Sequence, residues 1–261
     1  MAVIGILQAR TNSTRLPGKV LMNILDEPMI LHQLRRLKNS VLLDDIIVAT
    51  SSEKSDDALA EVCAAAGYRV FRGSLNDVLD RFVKAIKNDS YDHVVRLTGD
   101  CPLTDSKVID AIIRRHLQTD NDYTSNGLNP TYPDGLDVEI FKFSALVNAW
   151  ENAVLPSHRE HVTPYICAHP EIFSLENYEN DRDLSAMRWT VDEAEDIEFV
   201  TEVYRNLYPS KANFTMADIL VLLDDRPDLV AINSFMTRNE GLKKSLIEDE
   251  DFLSNNGEKL K

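Results

Sequence analysis

The sequence predicts an α/β fold in which helices cover both faces of a mostly parallel sheet. In the first 120 residues, short apolar runs alternate with segments whose apolar residues recur at helical spacing. The apolar runs are continuous, which is typical of strands buried on both faces. Strands that alternate with helices in this way form a doubly wound sheet with right-handed crossovers.

The individual elements support this prediction in order. The run at 2–7 is the first predicted strand, and further strands are predicted at 45–50, 68–71 and 92–98. Helices are predicted at 28–39, 55–66, 76–87 and 105–118. Pro28 lies in the first turn of its helix, where its missing amide hydrogen is tolerated, and Gly67 ends the second helix.

The alternation becomes irregular after residue 121. Strands are predicted at 122–126 and 136–141 around a turn-rich segment, and helices at 144–153 and 161–169. Strands at 172–178 and 187–191 and helices at 193–207 and 215–223 follow. We interpret residues 1–238 as one domain with an inserted hairpin-and-helix excursion at 122–178. Residues 239–261 form a charged tail, for which a loose helix is expected.

Composition excludes several classes of protein. The chain has 261 residues, of which 44% are hydrophobic and 27% charged, so it can bury a core and is not a disordered chain. A net charge of −15 disfavours nucleic-acid and polybasic membrane partners. Three separated cysteines and the lack of a signal peptide or long apolar run lead us to expect a cytoplasmic protein.

The charge is unevenly distributed, and its cations concentrate in one loop. Residues 1–40 contain six Lys or Arg against two acids. Three of these cations, Arg10, Arg15 and Lys19, lie in a loop rich in small residues at the carboxyl end of the first predicted strand. Guanidinium forks, an ammonium and exposed amides suit a polyphosphate. The loop contains neither the Walker nor the GxGxxG pattern, and a solvated basic loop remains the alternative.

Two carboxylates follow later predicted strands. Asp100 comes just after the strand at 92–98, and Asp192 just after the strand at 187–191. Acids at the carboxyl ends of parallel strands are placed to bind a metal–phosphate ligand. The alternatives are an Asx turn at Asp100 and a helix cap at Asp192. Together with the basic loop, the two carboxylates indicate Mg²⁺-dependent nucleotidyl transfer.

Six stretches carry a family resemblance. Residues 8–21 (QARTNSTRLPGKVL) resemble the signature of cytidylyltransferases that make CMP-sugars, and the chain is most similar to the branch resembling spore coat polysaccharide biosynthesis protein F. The other stretches are 77–81 (DVLDR), 96–102 (RLTGDCP), 132–141 (YPDGLDVEIF), 159–166 (REHVTPYI) and 188–192 (RWTVD). The resemblance covers about residues 2–205. It implies a nucleotide-diphospho-sugar transferase-like fold and transfer of CMP from CTP to an acidic sugar, a nonulosonate or octulosonate, with release of pyrophosphate.

The resemblance also implies roles for individual residues. Arg10 and Lys19 are expected to act in catalysis as triphosphate ligands, with Asp100 and Asp192 as Mg²⁺ ligands. The remaining expected nucleotide-binding residues are Gln8, Ala9, Ser13, Arg15, Arg72 and Asp77.

A pocket for an acidic sugar should offer cations or hydroxyls. The candidates are Arg159 and His161, of which His161 begins a predicted helix whose free amides would attract an anion. Asp137 and Glu139 lie on one face of a predicted strand, where they line the pocket or face water. For Arg159 and His161, surface charge and packing are the alternative roles.

By analogy with the family, the protein is expected to be a homodimer, with the 122–178 excursion as its dimerisation region. A glycosyltransferase of similar fold is a competing hypothesis, but Gly99-Asp100-Cys101 offers a single acid where an Asp-x-Asp motif is wanted. Two further hypotheses are a nucleotidyltransferase for another nucleoside triphosphate and a non-enzymatic nucleotide-binding module.

Overall fold

A seven-stranded sheet organises the protein. The computed structural model describes residues 1–235, 249 and 251–254. The strands are β1 (Val3–Gln8), β2 (Asn23–Ile24), β3 (Glu27–Pro28), β4 (Asp45–Ser51), β5 (Arg69–Gly73), β6 (His93–Thr98), β7 (Tyr123–Ser125), β8 (Glu139–Lys142) and β9 (Leu175–Asn177). Their order in the sheet is β5-β4-β1-β6-β8-β7-β9, and β2 pairs with β3 separately. Only β8 among these seven runs antiparallel to its neighbours, so the mostly parallel α/β prediction is confirmed.

Helices cover both faces of this sheet. They are α1 (Met29–Leu37), α2 (Asp57–Ala65), α3 (Val78–Ile86), α4 (Ser106–Thr119), α5 (Phe143–Asn152), α6 (Pro156–His161), α7 (Pro164–Ala168), α8 (Ala194–Leu207), α9 (Met216–Asp225) and α10 (Pro227–Val230). Val3 and Leu7 of β1 contribute to a core with α1, α4 and α8, whereas Ile4 and Ile6 contribute to a second core with α3 and α5. Because alternate side chains of a strand point to opposite faces, the two cores lie on opposite sides of the sheet.

The prediction is wrong in detail between residues 161 and 191, whereas the helices predicted at 193–207 and 215–223 are present as α8 and α9. The helix expected at 161–169 is present only as α7, and α6, which was not predicted, precedes it. The two are separate because Val162 between them has a positive φ of 72° and Pro164 lacks an amide donor. The expected strand at 172–178 is reduced to β9. At 187–191 there is no strand: the backbone makes one bridge, Asp134 to Arg188, and Val191 N donates to Asp100 O.

The parallel strands place the ends of β1 and β6 side by side. Gln8 is in register with Thr98, and Gly99 N donates to Gln8 O over 2.8 Å. A Cβ at Gly99 would lie 2.7 Å from the Cβ of Ala9, so glycine permits this close approach. The segments that follow these two strands therefore lie next to each other.

Two predictions concern parts of the chain beyond the sheet. No helix among the described residues is long and apolar enough to cross a membrane. The charged tail predicted at 239–261 falls mostly outside the described residues. Within it, Asp249 accepts hydrogen bonds from the amide and hydroxyl of Ser157, and residues 251–254 are helical.

A buried histidine pair lies at the amino end of β6. His93 Nδ1 is 3.0 Å from His116 Nε2, and His116 Nδ1 is 3.0 Å from Thr124 Oγ1. Burial lowers the pKa of His116 to about 4, with His93 and Lys142 contributing in the same direction. Burial also lowers the pKa of His93. Both rings are therefore neutral in the folded protein at neutral pH.

This pair should make stability depend on pH. A base whose pKa is lower in the folded protein than in the unfolded chain favours folding fully above pH 6.5, and that contribution is lost as the pH falls toward 4. Replacing His116 with Gln should remove about 1–3 kcal/mol of this pH dependence. Urea unfolding from pH 7 to pH 4 measures it, and a variant curve parallel to that of the wild type would contradict the assignment.

Candidate active site

A cavity of about 910 Å³ opens at the carboxyl ends of β1 and β6. Its walls come from the loop after β1, the start of α3, the carboxyl end of β6 with residues 99–101, parts of 123–139, residues around α6 and α7, and the irregular segment 188–192. This is the edge of a parallel sheet where ligands bind. The cavity is large enough for a nucleotide together with a small second substrate.

A buried carboxylate holds the loop at 8–19. Asp56 is 1% exposed, and its Oδ1 accepts hydrogen bonds from both the amide and the hydroxyl of Thr11 at 2.7 Å. Gly18 N then donates to Thr11 O at 2.8 Å, and Gly18 has a φ of 76°, which glycine adopts without strain. These contacts fix the loop so that the side chain of Lys19 lines the cavity.

Lys19 is the central charge of the site. Its Nζ donates to Val191 O at 2.7 Å, to Asp192 Oδ1 at 2.9 Å and to Asp100 Oδ2 at 3.2 Å. Burial disfavours the ammonium, but Asp100 and Asp192 outweigh it and raise the pKa of Lys19 above 10.5. Burial likewise disfavours ionised Asp100, yet Lys19 lowers the pKa of Asp100 to about 2. All three groups are therefore charged at neutral pH.

The other cations of the loop also face carboxylates. Arg15 contacts Asp192 at 2.6 Å and Glu193 at 3.3 Å, and Arg10 contacts Glu160 at 3.4 Å. The cavity thus brings together eight of the predicted nucleotide and metal ligands, from three parts of the chain. They are Gln8, Ala9, Arg10, Ser13, Arg15, Lys19, Asp100 and Asp192.

Three predicted residues do not line this cavity. Arg72 donates to the carbonyl oxygens of Ser51 and Glu53, both at 2.9 Å. Asp77 is the N-cap of α3, and it forms an ion pair of 2.5 Å with Arg159. Arg72, Asp77 and Arg159 therefore satisfy their charges with protein groups outside the cavity wall, and the ligand roles expected for them stay predictions.

The expected sugar side of the cavity contains Asp137, Glu139 and His161. Glu139 accepts from Tyr123 Oη at 2.7 Å and Thr163 Oγ1 at 2.5 Å, and it pairs with Arg96. Burial opposes its charge, but Arg96 outweighs this and lowers the pKa of Glu139. Because its oxygens are occupied, Glu139 orients its neighbours instead of facing water.

His161 has a different position from the one predicted. It ends α6 and does not begin a helix, so the amides of its own helix N-terminus cannot attract an anion there. Burial, and next Arg96, lower the pKa of His161, which favours a neutral ring.

The capping interpretation of Asp192 is also wrong. Glu193 is the N-cap of α8 and forms a capping box with Asp196. Asp196 is fully buried and accepts two hydrogen bonds of 2.8 Å from Arg188, while Arg188 Nη2 reaches Asp192 at 3.4 Å. Asp192 therefore does not cap α8, and its carboxylate contacts both Arg188 and Lys19.

Sequence reasoning missed three arginines that line the cavity, Arg81, Arg96 and Arg188. Each lies within one of the stretches that carry the family resemblance, which is the signal that could have identified them. Spacing alone does not show them, since Arg96 and Glu139, for example, are 43 residues apart.

Comparison with known proteins decides the family. The family model for cytidylyltransferase matches residues 4–217. The chain belongs to the cytidylyltransferase family. It is 34% identical to the spore coat polysaccharide biosynthesis protein SpsF of Bacillus subtilis, over 87% of this chain and 95% of that protein. A cytidylyltransferase structure from Leptospira borgpetersenii superposes with a TM-score of 0.84 at 35% identity, covering 92% of this chain and all of that one.

A more distant structure shares the fold. The synthetase of CMP-2-keto-3-deoxy-manno-octonic acid, solved with CTP, superposes with a TM-score of 0.60 at 17% identity, over 78% of this chain and 99% of that one. The nucleotidyltransferase-like fold of this family member is thereby confirmed.

Replacing Lys19 with Met should destabilise the protein in a pH-dependent way. The change leaves Asp100 without its cation and removes one of the three cations that contact Asp192, which should lower the free energy of unfolding by about 1–3 kcal/mol at pH 7. Carboxylates with lowered pKa values favour folding above their ordinary pKa near 3.8, and this contribution is lost as they are protonated below it. The deficit should therefore shrink toward pH 3.

Denaturant unfolding at pH 7 and below pH 4 tests this expectation. Arg69→Met is the matched control, because Arg69 forms exposed pairs with Asp45 and Asp89, remote from the cavity. A deficit in Lys19→Met of the same size at both pH values would contradict the role given to the two carboxylates.

Proposed function

We propose that this cytidylyltransferase transfers CMP from CTP to an acidic sugar of the nonulosonate or octulosonate type, releasing pyrophosphate, in surface polysaccharide biosynthesis. The observation that carries the proposal is the meeting of Arg10, Arg15 and Lys19 with Asp100 and Asp192 in one cavity. Guanidinium and ammonium groups beside paired carboxylates suit a triphosphate with its metal ion.

The relatives support the substrates. The Bacillus subtilis relative is named for spore coat polysaccharide biosynthesis, and the synthetase of similar fold was solved with CTP and acts on an acidic keto sugar. The cavity volume of about 910 Å³ accommodates both a nucleotide and a sugar.

The reaction requires the sugar hydroxyl to attack the α-phosphorus of CTP. A bond forms between that oxygen and phosphorus while the bond to pyrophosphate breaks, and the proton of the hydroxyl passes to water. Arg10 and Lys19 would bind the β and γ phosphates and offset the negative charge that grows on the leaving pyrophosphate. Arg15, on the same loop, would hold the phosphate chain in line with the attacking oxygen.

The residues present fit a Mg²⁺ cofactor. Asp100 and Asp192 are ionised, lie at the cavity, and both contact one cation, the Lys19 ammonium. Two carboxylates with the remaining ligands from phosphate and water are a common Mg²⁺ donor set. When bound, Mg²⁺ would offset charge on the phosphate oxygens.

The acceptor sugar would lie toward β7 and β8. Asp137 and His161 line that part of the cavity, and a neutral His161 can accept a hydrogen bond from a sugar hydroxyl. Glu139 would contribute indirectly, by holding Arg96 in place. Arg96 Nε in turn donates to Gln8 Oε1 at 3.0 Å. The homodimer through residues 122–178, the single domain at 1–238 and the cytoplasmic location stay predictions.

The purified protein with Mg²⁺ should release pyrophosphate from CTP when an octulosonate or nonulosonate is present. The other nucleoside triphosphates should be poor substrates. A coupled pyrophosphate assay across the four triphosphates and a panel of acidic and neutral sugars measures this. Transfer from a nucleotide sugar without turnover of any triphosphate would instead support the glycosyltransferase hypothesis.

Replacing Arg10 with Met should lower kcat/KM for CTP by about 10–100-fold, because a charge-assisted contact with phosphate is lost. The fold should be unaffected, since the Arg10–Glu160 pair is long and partly exposed. Steady-state kinetics beside Arg69→Met checks the effect. Activity of Arg10→Met close to that of Arg69→Met would remove Arg10 from the phosphate site.

A further inference from the structure

Arg81 stands apart from every other cation that lines the cavity. It lies on α3, is 3% exposed, and its side chain makes no hydrogen bond or ion pair with any residue that the structure describes. Its Nε and Nη1 are buried without a partner. The remaining described Lys and Arg of the cavity wall each face a carboxylate: Arg10 with Glu160, Arg15 and Lys19 with Asp192, Arg96 with Glu139, and Arg188 with Asp196.

The position of Arg81 is set by its backbone and aliphatic stem. Its amide donates to Asp77 O at 3.2 Å in the first turn of α3. A Cβ at Gly73 would lie 3.2 Å from Arg81 Cγ and 3.3 Å from its Cβ, so the stem packs closely over the end of β5. No polar contact within the described chain holds the guanidinium itself.

Nearby carboxylates do not neutralise this guanidinium. Asp56 and Asp77 attract it electrostatically but form no ion pair with it. Asp56 is hydrogen-bonded to Thr11, and Asp77 is paired with Arg159. Burial, and next the charge of Arg10, lower the pKa of Arg81 to about 10. It therefore stays positively charged at neutral pH, close to a second cation.

A buried, unpaired charge is costly for the free protein. The cost is removed when a ligand supplies the missing acceptors, and a guanidinium, which has five donors and no acceptor, suits an anionic group. Two neighbouring guanidinium groups together favour a group with more than one negative charge.

We propose that Arg81 is an anion-binding residue of this cavity, and that with Arg10 it binds the phosphate chain of the nucleotide. The proposal rests on the proposed function for the identity of that anion. Arg81 is thus assigned to binding and not to the scaffold.

Calorimetric titration of the full-length protein with Mg²⁺ and CTP, CDP, CMP or cytidine tests this assignment. Arg81→Met should weaken CTP binding at least about tenfold, because charge-assisted hydrogen bonds to phosphate are lost. The loss should decrease from CTP to CMP, and weak cytidine binding should be unchanged. Arg81→Lys should recover part of the CTP affinity, since it restores the charge but not the fork.

Thermal unfolding separates binding from a structural role. Arg81→Met should have the Tm of the wild type or a higher one, because it removes an unpaired buried charge. Arg36→Met is the matched control: Arg36 is also buried, but it donates to the carbonyl oxygens of Thr104 at 2.7 Å and Phe214 at 2.9 Å. Its Tm should fall.

Three results would overturn the assignment. Equal losses for CTP and cytidine would place Arg81 at the nucleoside, and unchanged CTP binding with a raised KM for the sugar would place it at the sugar carboxylate. A fall in Tm as large as that of Arg36→Met would make it structural. Failure of the wild type to bind CTP would instead refute the proposed function, so the two failures are distinguishable.

Discussion

The buried ammonium of Lys19 is the contact on which the site depends. It joins the loop after β1 to Asp100, 81 residues away, and to Val191 and Asp192, more than 170 residues away. A buried charge that loses one partner is strongly destabilising, so these three segments are expected to assemble together. The same contact places an ammonium and two carboxylates at the carboxyl edge of the sheet, which is where the nucleotide is proposed to bind.

The cavity is almost balanced in charge without a ligand. Most of its cations face carboxylates, and this pairing lets a protein of net charge −15 hold several buried cations in one place. A triphosphate entering such a site would exchange partners with these pairs instead of meeting bare charges. The acidic surface elsewhere has little influence at this distance, because salt screens exposed charges over about 8–10 Å.

A second set of side chains supports the first. Asp56 holds Thr11, Arg188 and Asp196 hold Asp192, and Glu139 holds Arg96. Each of these contacts is buried or nearly so and has well-satisfied hydrogen bonds, which makes it rigid. Arg81 differs because the fold holds its stem and leaves its guanidinium without a partner. That contrast separates residues that build the cavity from residues that are left to meet a ligand.

In the first half of the chain, the strands and helices could be predicted closely from the spacing of apolar residues. Continuous apolar strands and amphipathic helices bury themselves by local periodicity, so β1, β4, β5 and β6 and the helices between them lie where the sequence predicts. Between residues 156 and 191 the elements are short and irregular, and Val162 and Pro164 break a helix for steric reasons that periodicity does not show.

Some features of the candidate site could likewise be predicted from the sequence, and others could not. The sequence by itself determined the parallel fold, the basic loop that contains Arg10 and Lys19, and Asp100 after β6, because residue type and strand ends are local properties. Asp192 follows an irregular segment and not the predicted strand. Only the tertiary structure decided that Arg72, Asp77 and Arg159 face protein groups and that Arg81 faces none. Partner choice is a contact between residues distant in sequence, and it is fixed by how the helices and strands pack.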